Sequence, residues 1–173
     1  MFKYEGSNLK IKKAVDIAND KKLINFVITM IKEAQYYDMS NMQPTKLAAE
    51  AEHMLNNNQM KVELYYPKWK YSKALGYFSA SNPDIVNVNG YKVNSLDEIE
   101  LISMLYHEYC HYIDSNLPLD YYANHGSNSP IGKDYTFQYS VNRYVYEYFN
   151  YEREKPKVRL LWYKRLLNFI WRA

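Results

Sequence analysis

One predicted helix constrains the fold of this chain more than any other segment. Ser95-Leu96-Asp97-Glu98 matches a capping box. In this motif the serine and glutamate side chains accept hydrogen bonds from backbone N–H groups at a helix N-terminus. The helix is predicted to end by Asn116-Leu117-Pro118, because proline cannot continue it. Its apolar residues recur along its whole length, at Leu96, Ile99, Ile102, Leu105 and Ile113. A helix of this composition is predicted to be deeply buried, with other elements packed around it.

The residues before this helix predict its packing partners. Apolar side chains at helical spacing predict one helix from Asp20 to Tyr37, and Pro44 suits the first turn of a second helix that stops at Asn56. Three short stretches follow the pattern of strands, and the last two form an antiparallel hairpin: 61–66, 74–80 and 85–89. The sequence therefore predicts an α+β fold, in which packing helices and a short mixed sheet surround the buried helix.

Two more helices are predicted toward the C-terminus. The tyrosine-rich segment 135–152 is one, and Pro156 separates it from a basic amphipathic helix at 157–172. The chain thus divides into one domain, 1–155, and a C-terminal helix within 156–173. Docking of that helix by its apolar face is the preferred interpretation, and weak contact with nucleic acid or a membrane surface is the alternative.

Length, charge and cysteine content exclude several classes of protein. A chain of 173 residues is long enough for one domain with its own core, and one cysteine forms neither an internal disulfide nor a cysteine-based zinc ribbon. Lys plus Arg exceed Asp plus Glu by only 22 − 19 = 3, which is weak for a dedicated nucleic-acid binder. The apolar run 23–31 is too short to span a bilayer, and no secretion signal is recognised. We expect a cytoplasmic protein, and the 20 tyrosines favour an AT-rich genome, with a phage host's cytoplasm or a virion as settings.

The buried helix contains the sequence His107-Glu108-Tyr109-Cys110-His111, an H-E-x-x-H motif. At 3.6 residues per turn, His107 and His111 project from one face, where both imidazoles can bind one Zn²⁺. Glu108 lies beside the first ligand, where it can take a proton from an activated water and pass it to a leaving amine. This is the arrangement of zinc-dependent peptidases.

A catalytic zinc has three protein ligands in most cases, so the sequence after His111 must supply another. His125 is the first candidate, and Glu147 and Glu152 on the next predicted helix are the second. A site without a third ligand is the remaining alternative. Asp114 follows His111 by about one turn, where its carboxylate either orients a ligand imidazole or is simply solvated.

Other residues with metal-binding or catalytic side chains are given structural interpretations. Cys110 lies on a different helical face from His111 and is predicted to be a packing residue. His53 is predicted to be a surface histidine. Four tyrosines near the motif could place a phenol near a tetrahedral intermediate, although packing is favoured for each one: Tyr121, Tyr122, Tyr135 and Tyr139.

The segment 102–111, followed by His125-Gly126, resembles the SprT-like zinc metallopeptidases, including the cysteine before the second histidine. The resemblance covers about residues 60–126, and the predicted strands at 74–80 and 85–89 correspond to the active-site sheet of that family. It implies a zincin-like fold, zinc ligands at His107, His111 and His125, Glu108 as the general base, and protein substrates that are DNA-bound in some members. The chain departs from the family in the Ser127-Asn128-Ser129-Pro130 loop and in lacking a C-terminal zinc ribbon.

We therefore expect a zinc metalloprotease that cleaves a protein or peptide substrate held along an edge strand near 74–80. The alternative is a non-catalytic viral structural or interaction protein that retains a zincin fold, with its metal structural or lost. A second alternative is a nucleic-acid or membrane-surface binder that works through helix 157–172.

Overall fold

The computed structural model describes residues 1–68, 73–123 and 135–152. Its strands are β1 (Phe2–Lys3), β2 (Met60–Tyr65), β3 (Gly76–Phe78) and β4 (Ile85–Asn89). Its helices within these ranges are α1 (Leu9–Ala18), α2 (Lys21–Glu33), α3 (Pro44–Asn57), α4 (Glu98–Ser115) and α5 (137–152). The predicted α+β class is confirmed.

The four strands form one mixed sheet in the order β1-β2-β4-β3. β1, β2 and β4 run parallel, and β3 pairs antiparallel with β4, as the predicted hairpin requires. Val62, Val86 and Val88 are buried on the face of the sheet that the helices cover. The alternating residues of β2, which include Lys61 and Tyr65, occupy the opposite, outer face. β1 and β3 are the two edge strands, and no strand of the described residues pairs with the outer side of β3.

α4 lies at the centre of the helical layer, and three of its tyrosines fix its position. The hydroxyl of Tyr106 donates to the carbonyl of Ala18 at the end of α1 (2.9 Å), and that of Tyr109 donates to the carbonyl of Met54 near the end of α3 (2.8 Å). Tyr112 accepts a bond from the side chain of Asn58 (2.8 Å). Each such bond contributes about 1 kcal/mol. The tyrosines thus hold one side of α4 in the core. His107 and His111 lie on a different side of the helix.

The capping box was predicted two residues too early. Asp97 is the N-cap residue, because its Oδ1 accepts from the N–H of Glu100 (2.7 Å) while Glu100 accepts from the N–H of Asp97 (2.6 Å). Ser95 instead donates to the carbonyl of Lys92 (2.8 Å). Aspartate is as good an N-cap residue as serine, and a glutamate lies three positions after both Ser95 and Asp97. Sequence spacing alone therefore does not choose between the two N-caps.

The N-terminal region departs most from the prediction. α2 ends at Glu33 rather than Tyr37, because Ala34 is extended and the buried Tyr37 turns back to donate to the carbonyl of Ile31 (3.3 Å). β1 and α1 were not predicted. The sequence does contain a signal for α1, because asparagine is a preferred N-cap residue and apolar residues follow Asn8 at helical spacing. In the structure the Asn8 side chain accepts from two backbone N–H groups.

Some predictions fall outside the described residues. The boundary at 155 and the basic helix at 157–172 lie there, whereas the tyrosine-rich helix is confirmed from 137 to 152. Of the helices in the described ranges, none combines the length and the apolar composition needed to cross a membrane.

Candidate metal centre

His107 and His111 lie one turn apart on the same face of α4, as the spacing predicts. Their ring centroids are 5.2 Å apart, with 71° between the ring planes. Two imidazoles that bind one tetrahedral ion at about 2.0–2.1 Å place their centroids roughly 5 Å apart. The donor type and the ring separation are therefore compatible with a shared zinc ion.

Glu108 is buried between α4 and β3. Only 8% of its surface is exposed, and its Oε2 accepts a hydrogen bond from the backbone N–H of Phe78 (2.8 Å). Burial raises the pKa of the Glu108 carboxyl from 4.5 to about 7, and the Phe78 bond opposes part of that rise. A carboxyl with a pKa near neutral is suited both to accept and to release a proton.

Gly76 allows β3 to approach α4 this closely. A Cβ atom at Gly76 would lie 2.5 Å from the Met104 sulfur on α4 and 2.8 Å from the backbone oxygen of Asn87 on β4. The Met104 side chain can move, but the Asn87 carbonyl belongs to the sheet and cannot. The absence of a side chain at Gly76 therefore sets the distance between the edge strand and Glu108, two residues further along β3.

We expect Gly76→Ala to destabilise the protein by about 1–3 kcal/mol, because the added methyl group pushes β3 away from both neighbours. Gly90→Ala is the matched control. A Cβ there would meet only the ring of Tyr66, an exposed side chain that can swing aside, so we expect a change within about 0.5 kcal/mol. Urea unfolding followed by circular dichroism measures both values. Equal stability of the two variants would show that the approach of β3 to α4 is not tight.

The alternative glutamate ligands are far from the two histidines. The ring centroid of Tyr139 on α5 lies 4.9 Å from that of His107, and Asn142 is paired with Ser103 nearer the N-terminus of α4. α5 therefore runs antiparallel to α4. Glu147, eight residues after Tyr139, is displaced by about 12 Å along α5 and is exposed, and Glu152 lies further still. In the described parts of the chain, no three His, Cys, Asp or Glu side chains are grouped to hold a metal ion.

His125 lies outside the described residues, but the chain that leads to it is firmly held. Asp114 follows His111 on the same stripe of α4, and its Oδ1 accepts from the backbone N–H of Ala123 (2.6 Å). The Gln138 amide donates to the carbonyl of the same Ala123 (2.5 Å), which is fully buried. Asp114 thus fixes the backbone that precedes His125 at the His111 end of the motif.

Segment 38–42 holds the chain on both sides of residues 124–134. Ser40 forms a bridge with Ala123, and Asp38 forms one with Thr136. Between them, Met39 has a φ of 54°, a left-handed conformation that L side chains rarely adopt. Because the chain reverses at Met39, Asp38 pairs with Thr136 while Ser40 pairs with Ala123. The ends at Ala123 and Thr136 are thereby anchored to the same loop.

The other candidate residues named from the sequence lie in different surroundings. Cys110 is buried in the core, where burial raises the pKa of its thiol, and His53 is exposed and paired with Asn57 on α3. Tyr121 receives a bond from Lys46 (3.4 Å), and Tyr135 lies under the Arg143 guanidinium. Tyr122 is exposed. Of the four tyrosines considered, Tyr139 is the one whose ring contacts a motif histidine.

No family model, curated protein or solved structure matches this chain. The interpretation of the site therefore depends on its own geometry.

Three features of the site were missed by sequence reasoning. They are the Phe78 N–H that holds Glu108, the close approach at Gly76, and the Asp114 bond to Ala123. A glycine in a short aromatic strand was the only available signal for the second. The other two join a side chain to a backbone group in another element, which no residue pattern encodes.

Proposed function

We propose that this protein is a zinc-dependent peptidase with a SprT-like, zincin-like active site. One observation carries the proposal. Two histidines share a face of α4 at the spacing of a common ion, and Glu108, next to the first of them, is buried and held by the edge strand of the sheet. A purely structural histidine pair has no need of a buried carboxylate at this position.

His107, His111 and His125 would hold the zinc. His125 follows Ala123 by two residues in the sequence. Ala123 is itself bonded to Asp114, one turn beyond His111. This tether supports His125 as the third ligand, in preference to Glu147 and Glu152. When bound, zinc supplies Lewis acidity for a carbonyl oxygen and for a water molecule.

Glu108 is the proton carrier in this mechanism. Its Oε2 is occupied by the Phe78 N–H, so Oε1 is the oxygen that accepts the proton of the attacking water. The same oxygen then delivers the proton to the leaving amine. The Phe78 bond fixes the orientation of the carboxylate, and burial between α4 and β3 keeps bulk water away from it.

The substrate is proposed to bind as an extended peptide along the outer edge of β3. No described strand pairs with this edge, and its Phe78 N–H is already donated to Glu108, so a peptide would add through the remaining backbone groups of β3. Phe78, which holds Glu108, belongs to this same strand. A peptide in this position therefore passes directly beside the catalytic carboxylate.

Zinc content is the decisive test. We expect the purified parent to hold one zinc per chain, His111→Ala to hold none, and His125→Ala to bind zinc at least tenfold more weakly. His53→Ala is the matched control, because this histidine is exposed on α3, and it should keep the parental zinc content. Elemental analysis after dialysis against a metal-buffered solution measures all four proteins.

Two outcomes would contradict the proposal. If a folded, zinc-supplemented parent holds no zinc, the alternative of a non-catalytic viral structural or interaction protein is favoured. If His125→Ala keeps full affinity, the third ligand is assigned wrongly. Circular dichroism of each variant shows whether a loss of zinc reflects loss of the fold.

A further inference from the structure

A group of exposed aromatic side chains lies at one end of the sheet. We call it the aromatic patch. It contains two edge-to-face ring pairs, Tyr65 with Tyr77 (4.9 Å between centroids) and Tyr66 with Tyr91 (5.2 Å). Tyr66 is 59% exposed, Tyr91 54% and Tyr77 41%, and Leu75 beside them is also exposed. Tyr65 and Tyr66 are consecutive in the chain, and exposed apolar surface of this kind marks interaction sites.

The strand order and Gly90 bring these rings close together. Tyr65 and Tyr77 stand on the outer face of β2 and β3, and their rings meet across β4, which lies between the two strands. At Gly90 the missing side chain leaves room for the Tyr66 ring, because a Cβ there would lie 2.4 Å from a ring atom. Each tyrosine combines an apolar ring with a polar hydroxyl, as is typical of binding surfaces.

The charged residues that neighbour the aromatic patch in the sequence are mainly positive. Lys68, Lys73 and Lys92 follow or precede its residues by one or two positions, and in the described ranges none of them forms an ion pair. Glu63, the acidic residue on the same face of β2, is already paired with Lys61 (2.7 Å). The patch therefore complements a partner that is both aromatic or apolar and negatively charged.

The aromatic patch is continuous with the candidate active site through β3. Tyr77 contributes its ring to the patch, and the next residue, Phe78, donates its N–H to Glu108. A peptide added along the β3 edge would place one of its side chains directly beside the Tyr77 ring, at the usual cross-strand distance of about 5 Å. This continuity favours a peptide over a glycan or a single-stranded nucleic acid.

We infer that the aromatic patch selects the substrate, and that its partner is an extended acidic peptide segment with an aromatic or large apolar side chain. The inference rests on the proposed function for the cleavage step. Binding itself requires only the patch and the β3 edge. The tyrosine rings hold the aromatic side chain, and the three lysines attract the acidic neighbours.

The test is fluorescence anisotropy with the full chain carrying Glu108→Gln, so that the probe is not cleaved. The probe is a short labelled peptide with one tryptophan between aspartates and glutamates. We expect about tenfold weaker binding when Tyr66→Ser and Tyr77→Ser are combined, and a similar loss with Lys73→Glu. Tyr36→Ser removes an equally exposed ring away from the patch and should change nothing.

Two comparison probes decide which partner the patch accepts. A peptide with serine in place of tryptophan, and one with lysines in place of the acids, should each bind at least tenfold more weakly than the first probe. Preference for a thymidine oligonucleotide, equal binding of all three peptides, or insensitivity to the tyrosine substitutions would each overturn the inference.

A repeat with His111→Ala separates this inference from the proposed function. If the acidic tryptophan peptide binds this variant as before, while no zinc is found in the parent, the patch stands and the peptidase proposal falls. If the parent holds zinc and cleaves peptides, but the tyrosine variants bind and cleave them equally well, the patch inference alone is wrong.

Discussion

A Glu108→Gln protein should bind zinc as fully as the parent and hydrolyse fluorescein-labelled casein about a thousandfold more slowly. Glutamine has the same shape as glutamate, and its amide oxygen can still accept the Phe78 N–H, so the packing between α4 and β3 is retained. What the variant loses is the group that takes the proton from water. General acid–base catalysis contributes roughly 10²–10⁴-fold, which sets the size of the expected loss.

Glu147→Gln is the matched control for this experiment. It makes the same chemical change on an exposed residue of α5, and it should cleave casein at the parental rate. Release of fluorescent peptide over time, with zinc content measured on the same samples, gives both quantities. Parental activity in Glu108→Gln would remove Glu108 from the mechanism, even if the zinc site is confirmed.

Much of the fold could be predicted because local signals and burial agree. The apolar stripe of α4, the proline at the start of α3 and the hairpin of β3 and β4 each depend on residues close together in the sequence, and all three are found. β1 illustrates the limit. It has only two residues, and it exists because Phe2 and Lys3 pair with Met60 and Lys61, far away in the sequence. A contact so distant in sequence leaves no periodic pattern.

The positions of the motif residues on α4 could be predicted, but the contacts that hold Glu108 could not. His107, Glu108 and His111 follow from helical spacing alone. The carboxylate of Glu108 is held by a backbone N–H thirty residues earlier, and backbone groups carry no sequence information. The approach that permits this bond depends on the Met104 and Asn87 atoms around Gly76, which belong to two other elements. Only a tertiary structure reveals such a coincidence.

The same buried carboxylate makes the metal-free protein sensitive to pH. Its pKa is about 7 in the folded protein and about 4.5 when the chain is unfolded, because burial disfavours the charged form. The folded state therefore holds its proton more tightly, and stability falls as pH rises from 4.5 through 7. At about 1.4 kcal/mol per pKa unit, this change is about 3 kcal/mol. Urea unfolding of the chelator-treated parent between pH 5 and 8 should show the loss.

Glu108→Gln should remove this loss, since an amide does not titrate, and the variant should exceed the parent by about 3 kcal/mol at pH 8. At pH 4.5 the two proteins should differ little, because the parental carboxyl is then protonated. Glu147→Gln, whose carboxyl is exposed, should keep the parental pH dependence. If the free energy of unfolding of the parent stays constant between pH 5 and 8, the pKa of Glu108 is not raised by burial. A variant that is inactive yet more stable would mean that the carboxylate is kept at a cost in stability, which a structural role does not explain.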